Sequence, residues 1–273
     1  TASAGMVDLG YNGGTPVECP GEFTIEGSGQ VWKDWVPGGQ GSMDLHTAIV
    51  RSCNTVFYKM GVDLDNANEM YLPDMARAYG FGAPTGIELD EIPGIVPDPT
   101  WKVSNVGDFW ATGDAVNLAI GQGYFLATPL QLAVAYAAIA NGGTLYTPHI
   151  IMDVVRLDGS IVTSGQAQVK GTLPLNADQL GVIRSAMYDV INASNGTATA
   201  AFEGEDHPVS GKTGTAETGI VGEQAHGWFG SFTPSDAPGI TVVTMVEHGV
   251  AGSTSAAPIA RTIIDAWYAA NGG

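Results

Sequence analysis

The residues best suited to chemistry lie in one short segment, Gly211 to Glu217 (GKTGTAE). Lys212 supplies an ammonium group, and Thr213 and Thr215 supply hydroxyls. On a strand, side chains alternate, so Lys212 and Gly214 would face one side and the two threonines the other. Because Gly214 has no side chain, a bound peptide could approach the strand edge and add to it, with a cation nearby for a carboxylate. An ordinary strand with a solvated lysine has the same pattern.

A second polar group, Ser52-Cys53-Asn54, interrupts a helical pattern. Asp44 is a suitable N-cap for the helix before it, and Val56 restarts the apolar spacing after it. A turn at this point would bring the Ser52 and Asn54 side chains into one connection. Serine and asparagine are also frequent in turns for structural reasons, so the turn alone supports either interpretation.

Composition limits the possible partners. The chain has 273 residues, enough for one large domain or two small ones, and a formal net charge of -18. Nucleic-acid binding needs a basic surface, so this charge excludes nucleic acid and argues equally against an anionic membrane surface. We attribute the acidity to solubility. The sequence has no apolar run long enough to span a bilayer.

The metal-binding residue types are few and scattered. The five histidines form no recognisable ligand pattern, and Cys19 and Cys53 do not form a C-x-x-C, so we predict no metal and no cofactor. Sequence cannot show whether two distant cysteines lie close together. We predict two separate, partly buried thiols.

Apolar periodicity and turn residues predict an α+β fold with a sheet covered on both faces. We expect residues 91–116 to form a loop, and residues 80–90 to form a loop leading into a short strand. The predicted strands are Glu22–Ile25, Val31–Trp32, a hairpin over 150–163, and strands at Lys212, 225–232 and 240–247. The predicted helices follow Asp44 and Val56 and otherwise cover 68–78, 129–141, 177–191 and 256–270.

Taken together, Ser52-Cys53-Asn54 and Lys212-Thr213-Gly214 resemble the second and third motifs of the penicillin-binding and serine β-lactamase superfamily. The wider chain is similar to class B penicillin-binding proteins, above all the elongation-specific, penicillin-binding-protein-2-like type. The stretches that carry this similarity are FGAPTGIEL (81–89), AIGQGY (119–124), ATPLQL (127–132) and ANGGTLYTPH (140–149). The resemblance implies one transpeptidase domain over residues 1–273. It also implies an antiparallel five-stranded-type sheet flanked by helices on both faces, with an all-helical subdomain.

One motif of the family has no counterpart in the chain. The family's nucleophile is the serine of a Ser-x-x-Lys motif, and none of the five lysines here follows a serine by three places. Thr1 to Met6 resembles the end of the helix that carries this serine. We therefore expect the nucleophile roughly ten residues upstream of Thr1, judged from the helical rise. We also expect the fragment to be N-terminally truncated and inactive by itself.

The resemblance implies serine acyl transfer on the D-Ala-D-Ala end of a peptidoglycan stem peptide, in two covalent steps. Ser52 would relay a proton to the leaving amine, Asn54 would bind the substrate amide, and Lys212 would keep the local field positive. Substrate binding would fall to Thr213, Gly214 and Thr215, and the hydroxyls of the two threonines would hold the terminal carboxylate. The Thr215 N–H would form half of the oxyanion hole.

The same resemblance implies three kinds of partner: stem peptides, β-lactam antibiotics and a membrane-embedded glycan polymerase. It places the protein at the extracytoplasmic face of a bacterial membrane, anchored by an N-terminal helix outside this chain. A serine β-lactamase is an alternative, but we find no clear Glu-x-x-x-Asn loop for hydrolysis. A penicillin-sensing domain that acylates without turnover and a purely structural fragment are the others.

Overall fold

The computed structural model describes residues 1–272 and shows a mixed helix and strand fold. The helices are α1 (Ala2–Asp8), α2 (Leu45–Val50), α3 (Asn54–Ala67), α4 (Tyr71–Ala78), α5 (Pro99–Val106), α6 (Thr112–Leu118), α7 (Pro129–Ala140), α8 (Ala177–Asn192) and α9 (Ala257–Asn271). The strands are β1 (Pro16–Pro20), β2 (Glu22–Thr24), β3 (Val31–Lys33), β4 (Gly39–Asp44), β5 (Thr144–Thr147), β6 (Asp153–Val155), β7 (Ile161–Ser164), β8 (Gln168–Thr172), β9 (Ser210–Ala216), β10 (His226–Thr233) and β11 (Ile240–Val246).

The largest sheet has the order β11-β10-β9 and is antiparallel throughout. Phe229 of β10 points to one face, where it packs with Ile264 of α9. Phe232 points to the other face and joins the core formed with α2 and α7. Gly230 admits the Tyr136 ring of α7 onto that face, since a Cβ there would lie 2.6 Å from the ring. Helices therefore cover both faces of the sheet, as predicted. Within residues 1–272 this sheet has three strands, whereas the resemblance implied a five-stranded type.

The remaining strands form separate two-stranded pairs, β1-β4, β2-β3, β5-β8 and β6-β7. The hairpin predicted over 150–163 is confirmed as β6 and β7, and the short strands near Glu22 and Val31 are confirmed as β2 and β3. The predicted Asp44 cap is confirmed too, because its side chain accepts from the Thr47 N–H. Thr128 caps α7 in the same way, by accepting from the Gln131 N–H.

The loop predicted over 91–116 is wrong, because α5 and the first part of α6 occupy half of it. Asp98 caps α5 by accepting the Trp101 N–H, Pro99 stands in the first turn, and Gly107 ends the helix in the left-handed conformation. Proline fits a first turn because the N–H it lacks has no helical partner there. The short strand predicted where the 80–90 loop ends is absent from the described chain, where only an isolated bridge joins Ile95 to Leu126.

The same reasoning explains α4, which begins three residues later than predicted. Pro73 is the third residue of the helix, within the turn whose N–H groups need no acceptor. None of the helices in residues 1–272 combines the length and the apolar character needed to cross a membrane.

The prediction of two separate thiols is wrong as well. Cys19 and Cys53 form a disulfide with their Cα atoms 6.2 Å apart. Pairing of β1 with β4 places Cys19 opposite Gly41 and beside the start of α3. The two cysteines are 34 residues apart in sequence, so no local pattern indicates that they lie close together.

Candidate active site

The Ser52-Cys53-Asn54 segment forms the connection between α2 and α3, as predicted. Ser52 has a φ of +52°, a left-handed conformation that residues with a side chain seldom adopt. The Cys53 side chain caps α3 by accepting from the Val56 N–H, and Asn54 is the first residue of the helix. We call residues 51–54 the turn wall of the site.

Strand β9 forms the opposite side, which we call the strand wall. Within residues 1–272, only one of its edges pairs with another strand, β10. The Thr213 carbonyl accepts from Lys212 Nζ at 3.0 Å, and the Thr215 carbonyl accepts from Gln122 Nε2 at 3.3 Å. Both carbonyls therefore face the open edge. In an antiparallel strand the N–H and C=O of one residue point to the same side, so the Thr215 N–H faces that edge too.

One hydrogen bond joins the two walls directly. Lys212 Nζ donates to Ser52 Oγ at 2.7 Å, across 160 positions of sequence. The register of β9 explains the direction of the lysine, because Lys212 pairs with Gly230, whose free face is turned toward α7. Burial lowers the pKa of the Lys212 ammonium to about 8, since desolvation disfavours the charged form. At neutral pH the group is still mostly protonated.

The other predicted site residues lie around this contact. Asn54 follows Ser52 closely, and its Nδ2 donates to the Lys33 carbonyl at 3.4 Å. Thr213 faces away from Lys212, and its hydroxyl lies 2.7 Å from that of Thr197. One O–H of the two is used in that bond, which leaves the other free to donate. The Thr215 side chain is exposed.

Sequence reasoning missed three residues that contact these walls: Asp34, Gln122 and Thr197. Asp34 accepts the Asn54 N–H at 2.8 Å, although it lies 20 positions away. Gln122 occurs in the AIGQGY stretch, so the resemblance covered it but gave it no role. Thr197 follows α8 and belongs to none of the motifs described above. No local pattern links any of them to the site.

Two groups of side chains have metal-ligand types close together. In the first, Cys19, Cys53 and Asp34, the sulfurs are bonded to each other. In the second, Glu205, His207 and Asp265, the glutamate lies 2.5 Å from His207 Nδ1 and 3.4 Å from Arg261 Nε. The arginine already supplies a positive charge there, so the second group forms an ion-pair network.

An α+β domain with a serine hydroxyl and a lysine ammonium in contact beside an open strand edge has the arrangement expected of the penicillin-binding and serine β-lactamase superfamily. Residues 19–265 match the family model described as penicillin binding protein transpeptidase domain. The chain belongs to the transpeptidase-domain family of penicillin-binding proteins.

Individual relatives agree with this assignment. The chain is 32% identical over 272 residues to peptidoglycan D,D-transpeptidase MrdA of Haemophilus influenzae, covering 92% of this chain and 40% of the relative. Penicillin-binding protein 2 of Pseudomonas aeruginosa, solved with WCK 5153, matches with a TM-score of 0.85 and 29% identity, over 97% of this chain and 58% of that one. A chain of a peptidoglycan synthase complex that coordinates polymerization and crosslinking matches with a TM-score of 0.80 and 28% identity, over 98% of this chain and 44% of that one. The chain thus spans about two fifths of the length of the curated relative.

Proposed function

We propose that this domain is the acyl-transfer part of a peptidoglycan D,D-transpeptidase, which joins stem peptides at their D-Ala-D-Ala ends and is acylated by β-lactams. The observation that carries the proposal is the 2.7 Å contact between Lys212 Nζ and Ser52 Oγ beside the open edge of β9. The nucleophile would be the serine of a Ser-x-x-Lys motif supplied by the parent protein before Thr1. Residues 1–273 by themselves would then be inactive.

The geometry suggests a role for each group. Because the Lys212 ammonium donates to Ser52 Oγ, the Ser52 hydroxyl can point its own proton at the leaving amine and be reprotonated from the nucleophile side. Asn54 would bind the substrate amide from the same wall. Such positioned proton transfer contributes typically 10² to 10⁴-fold in rate.

The strand wall would hold the substrate. An extended stem peptide can pair with the open edge of β9, because Gly214 offers no side chain to block it. The Thr215 N–H, which faces that edge, would donate to the oxyanion, and the free O–H of the Thr213–Thr197 pair would donate to the terminal carboxylate. Preorganised donors of this kind are worth about 10² to 10³ in rate each.

The location and partners follow from the relatives. The relatives are named as peptidoglycan D,D-transpeptidases of bacteria, and disulfides such as Cys19–Cys53 persist in oxidising compartments. We therefore place the domain at the extracytoplasmic face of the membrane, anchored by a segment of the parent protein. The peptidoglycan synthase complex supports a glycan polymerase as partner.

The test is covalent labelling of the intact parent protein by a fluorescent penicillin. We expect Ser52→Ala and Lys212→Ala each to slow labelling by about a hundredfold or more. Lys59→Ala is the matched control, because this lysine is exposed and pairs only with Asp63 and should leave the rate unchanged. Normal labelling of both site variants would refute the assigned roles. Turnover of a stem-peptide thioester would separate a transpeptidase from a penicillin sensor.

A further inference from the structure

We propose that Asp34 is a positioning residue which, together with the Cys19–Cys53 disulfide, holds Ser52 in contact with Lys212. The inference rests on the function proposed above and adds a residue to that site. Asp34 would touch neither substrate nor nucleophile, and it would act only through the turn wall.

The Asp34 carboxylate joins two segments of chain. It is buried, and its Oδ1 accepts the Asn54 N–H at 2.8 Å. Its Oδ2 accepts from the Val36 N–H at 3.1 Å and from Gln40 Nε2 at 2.8 Å. Burying a carboxylate is costly unless its oxygens accept hydrogen bonds, and here both oxygens do so, two of the three donors being backbone N–H groups. One oxygen is thus tied to the β3–β4 connection and the other to the start of α3.

The residues on either side of Asp34 contact the same turn. Trp35 Nε1 donates to the Arg51 carbonyl at 3.1 Å, at the beginning of the turn wall. The Lys33 carbonyl accepts from Asn54 Nδ2 at 3.4 Å, at its end. Residues 33–35 therefore brace both ends of a four-residue turn, with Ser52 between the contacts.

The turn needs this support because of its backbone conformation. A φ of +52° is disfavoured for serine, and such conformations persist only where the surrounding structure fixes them. Cys53 is bonded to Cys19, whose place in β1 is set by pairing with β4. If the Asp34 contact is lost, the Asn54 N–H is left without an acceptor. Ser52 can then relax toward negative φ, which moves its hydroxyl away from Lys212.

The first experiment follows the Lys212 ammonium by NMR titration in the 273-residue chain, with the signal assigned by its loss in Lys212→Met. In the wild type this ammonium should titrate near pH 8. In Asp34→Ala, and separately in Cys19→Ala/Cys53→Ala, we expect the pKa to rise by one pH unit or more, because a loosened turn admits water to the ammonium.

Asp98→Ala is the matched control. Asp98 is also a buried aspartate that accepts a helix N-terminal N–H, but it belongs to α5 and touches no residue of the turn wall. The Asp98→Ala variant should be less stable than the wild type, but the pKa of Lys212 should not change. An unchanged Lys212 titration in a folded Asp34→Ala would overturn the proposal, and so would an equal shift in Asp98→Ala. If Asp34→Ala does not fold, the double cysteine variant decides by the same criterion.

Asp34→Asn tests the hydrogen bond itself. Its Oδ1 can still accept from Asn54. Its Nδ2 would face Gln40 and also the Val36 N–H, which loses its acceptor on the far side of the carboxylate from the turn wall. Gln40 Oε1 is buried without a partner in the described part of the chain, so the Gln40 amide can turn and accept from the new donor. We expect a Lys212 titration near that of the wild type. A shift as large as that of Asp34→Ala would contradict this assignment.

The second experiment measures penicillin acylation in the intact parent. We expect Asp34→Ala to slow the acylation step tenfold or more while the affinity of the first, non-covalent complex is unchanged, because a small displacement of a reacting group is costly. An unchanged rate of acylation, or a loss confined to the affinity of the non-covalent complex, would contradict the positioning role of Asp34. If the wild-type parent is not labelled at all, the proposed function fails, whereas the titration still decides the role of Asp34.

Discussion

The two walls of the candidate site are built in different ways. The strand wall is part of a sheet, and the ladder to β10 and the Phe229 packing beneath it hold it in place. The turn wall lies outside any sheet. Apart from the backbone hydrogen bonds that join it to the end of α2, it is held by one disulfide and a few hydrogen bonds with residues 33–35. A wall stabilised by burial should change its structure only when the domain unfolds. A wall stabilised by a few individual bonds can move while the domain stays folded.

The largest effect should come from removing the core beneath the strand wall. Phe229 is completely buried, and its ring lies 5.5 Å from that of Phe202. Phe229→Ala should lower the free energy of unfolding by about 3–5 kcal/mol, through lost apolar burial and the cavity left behind. Urea denaturation measures it. Phe109→Ala, at an 81% exposed residue, should change the same quantity by less than about 0.5 kcal/mol.

The Phe229→Ala variant also tests whether the strand wall is held in place by burial. The amides of β9 should lose hydrogen-exchange protection in Phe229→Ala only together with those of the rest of the sheet. Early, separate exchange of β9 would show that the strand wall is not held by burial, and the distinction between the walls would fail.

The same contrast explains what the sequence could predict. The strand wall could be predicted from local sequence. Lys212-Thr213-Gly214 and the neighbouring strands show alternating patterns bounded by turn residues. The turn between α2 and α3 could be predicted equally well, because Asp44 and Val56 mark the helices on either side. The contacts that stabilise this turn could not be predicted from the sequence. The carboxylate of Asp34 comes from a Gly- and Pro-rich region. Its place depends on contacts distant in sequence, since Asp34 follows β3, which pairs with β2, and its N–H donates to the Gly21 carbonyl.

A second prediction concerns the charge that lies between the walls. The folded pKa of Lys212 is about 8, below its unfolded value near 10.5, so between these values the unfolded chain binds more protons. Stability then rises with pH in this window. Relative to Lys212→Met, the wild type should gain about 2 kcal/mol of unfolding free energy between pH 8 and pH 10, measured in urea.

Lys59 supplies a control of opposite sign. Its hydrogen bond to Asp63 raises its pKa, so its contribution is present below the unfolded pKa and is lost as the pH rises through the folded one. Lys59→Met should therefore not reproduce the slope difference seen with Lys212→Met. Parallel pH profiles for the wild type and Lys212→Met would mean that the ammonium is solvated and that the two walls are not in contact.

The smallest effect should come from the one side-chain bond that supports the strand wall from the α8 side. Thr197→Val keeps the shape of the side chain but removes the hydroxyl 2.7 Å from that of Thr213, and should cost about 1 kcal/mol in urea denaturation. Thr197→Ser retains the hydroxyl and should lose less than half as much. Hydrogen exchange at β9 should remain unchanged in both, because the ladder to β10 holds the strand without this bond. Equal losses in the two variants would attribute the effect to packing of the lost methyl group, and selective opening of β9 in Thr197→Val would show that the strand wall also depends on discrete bonds.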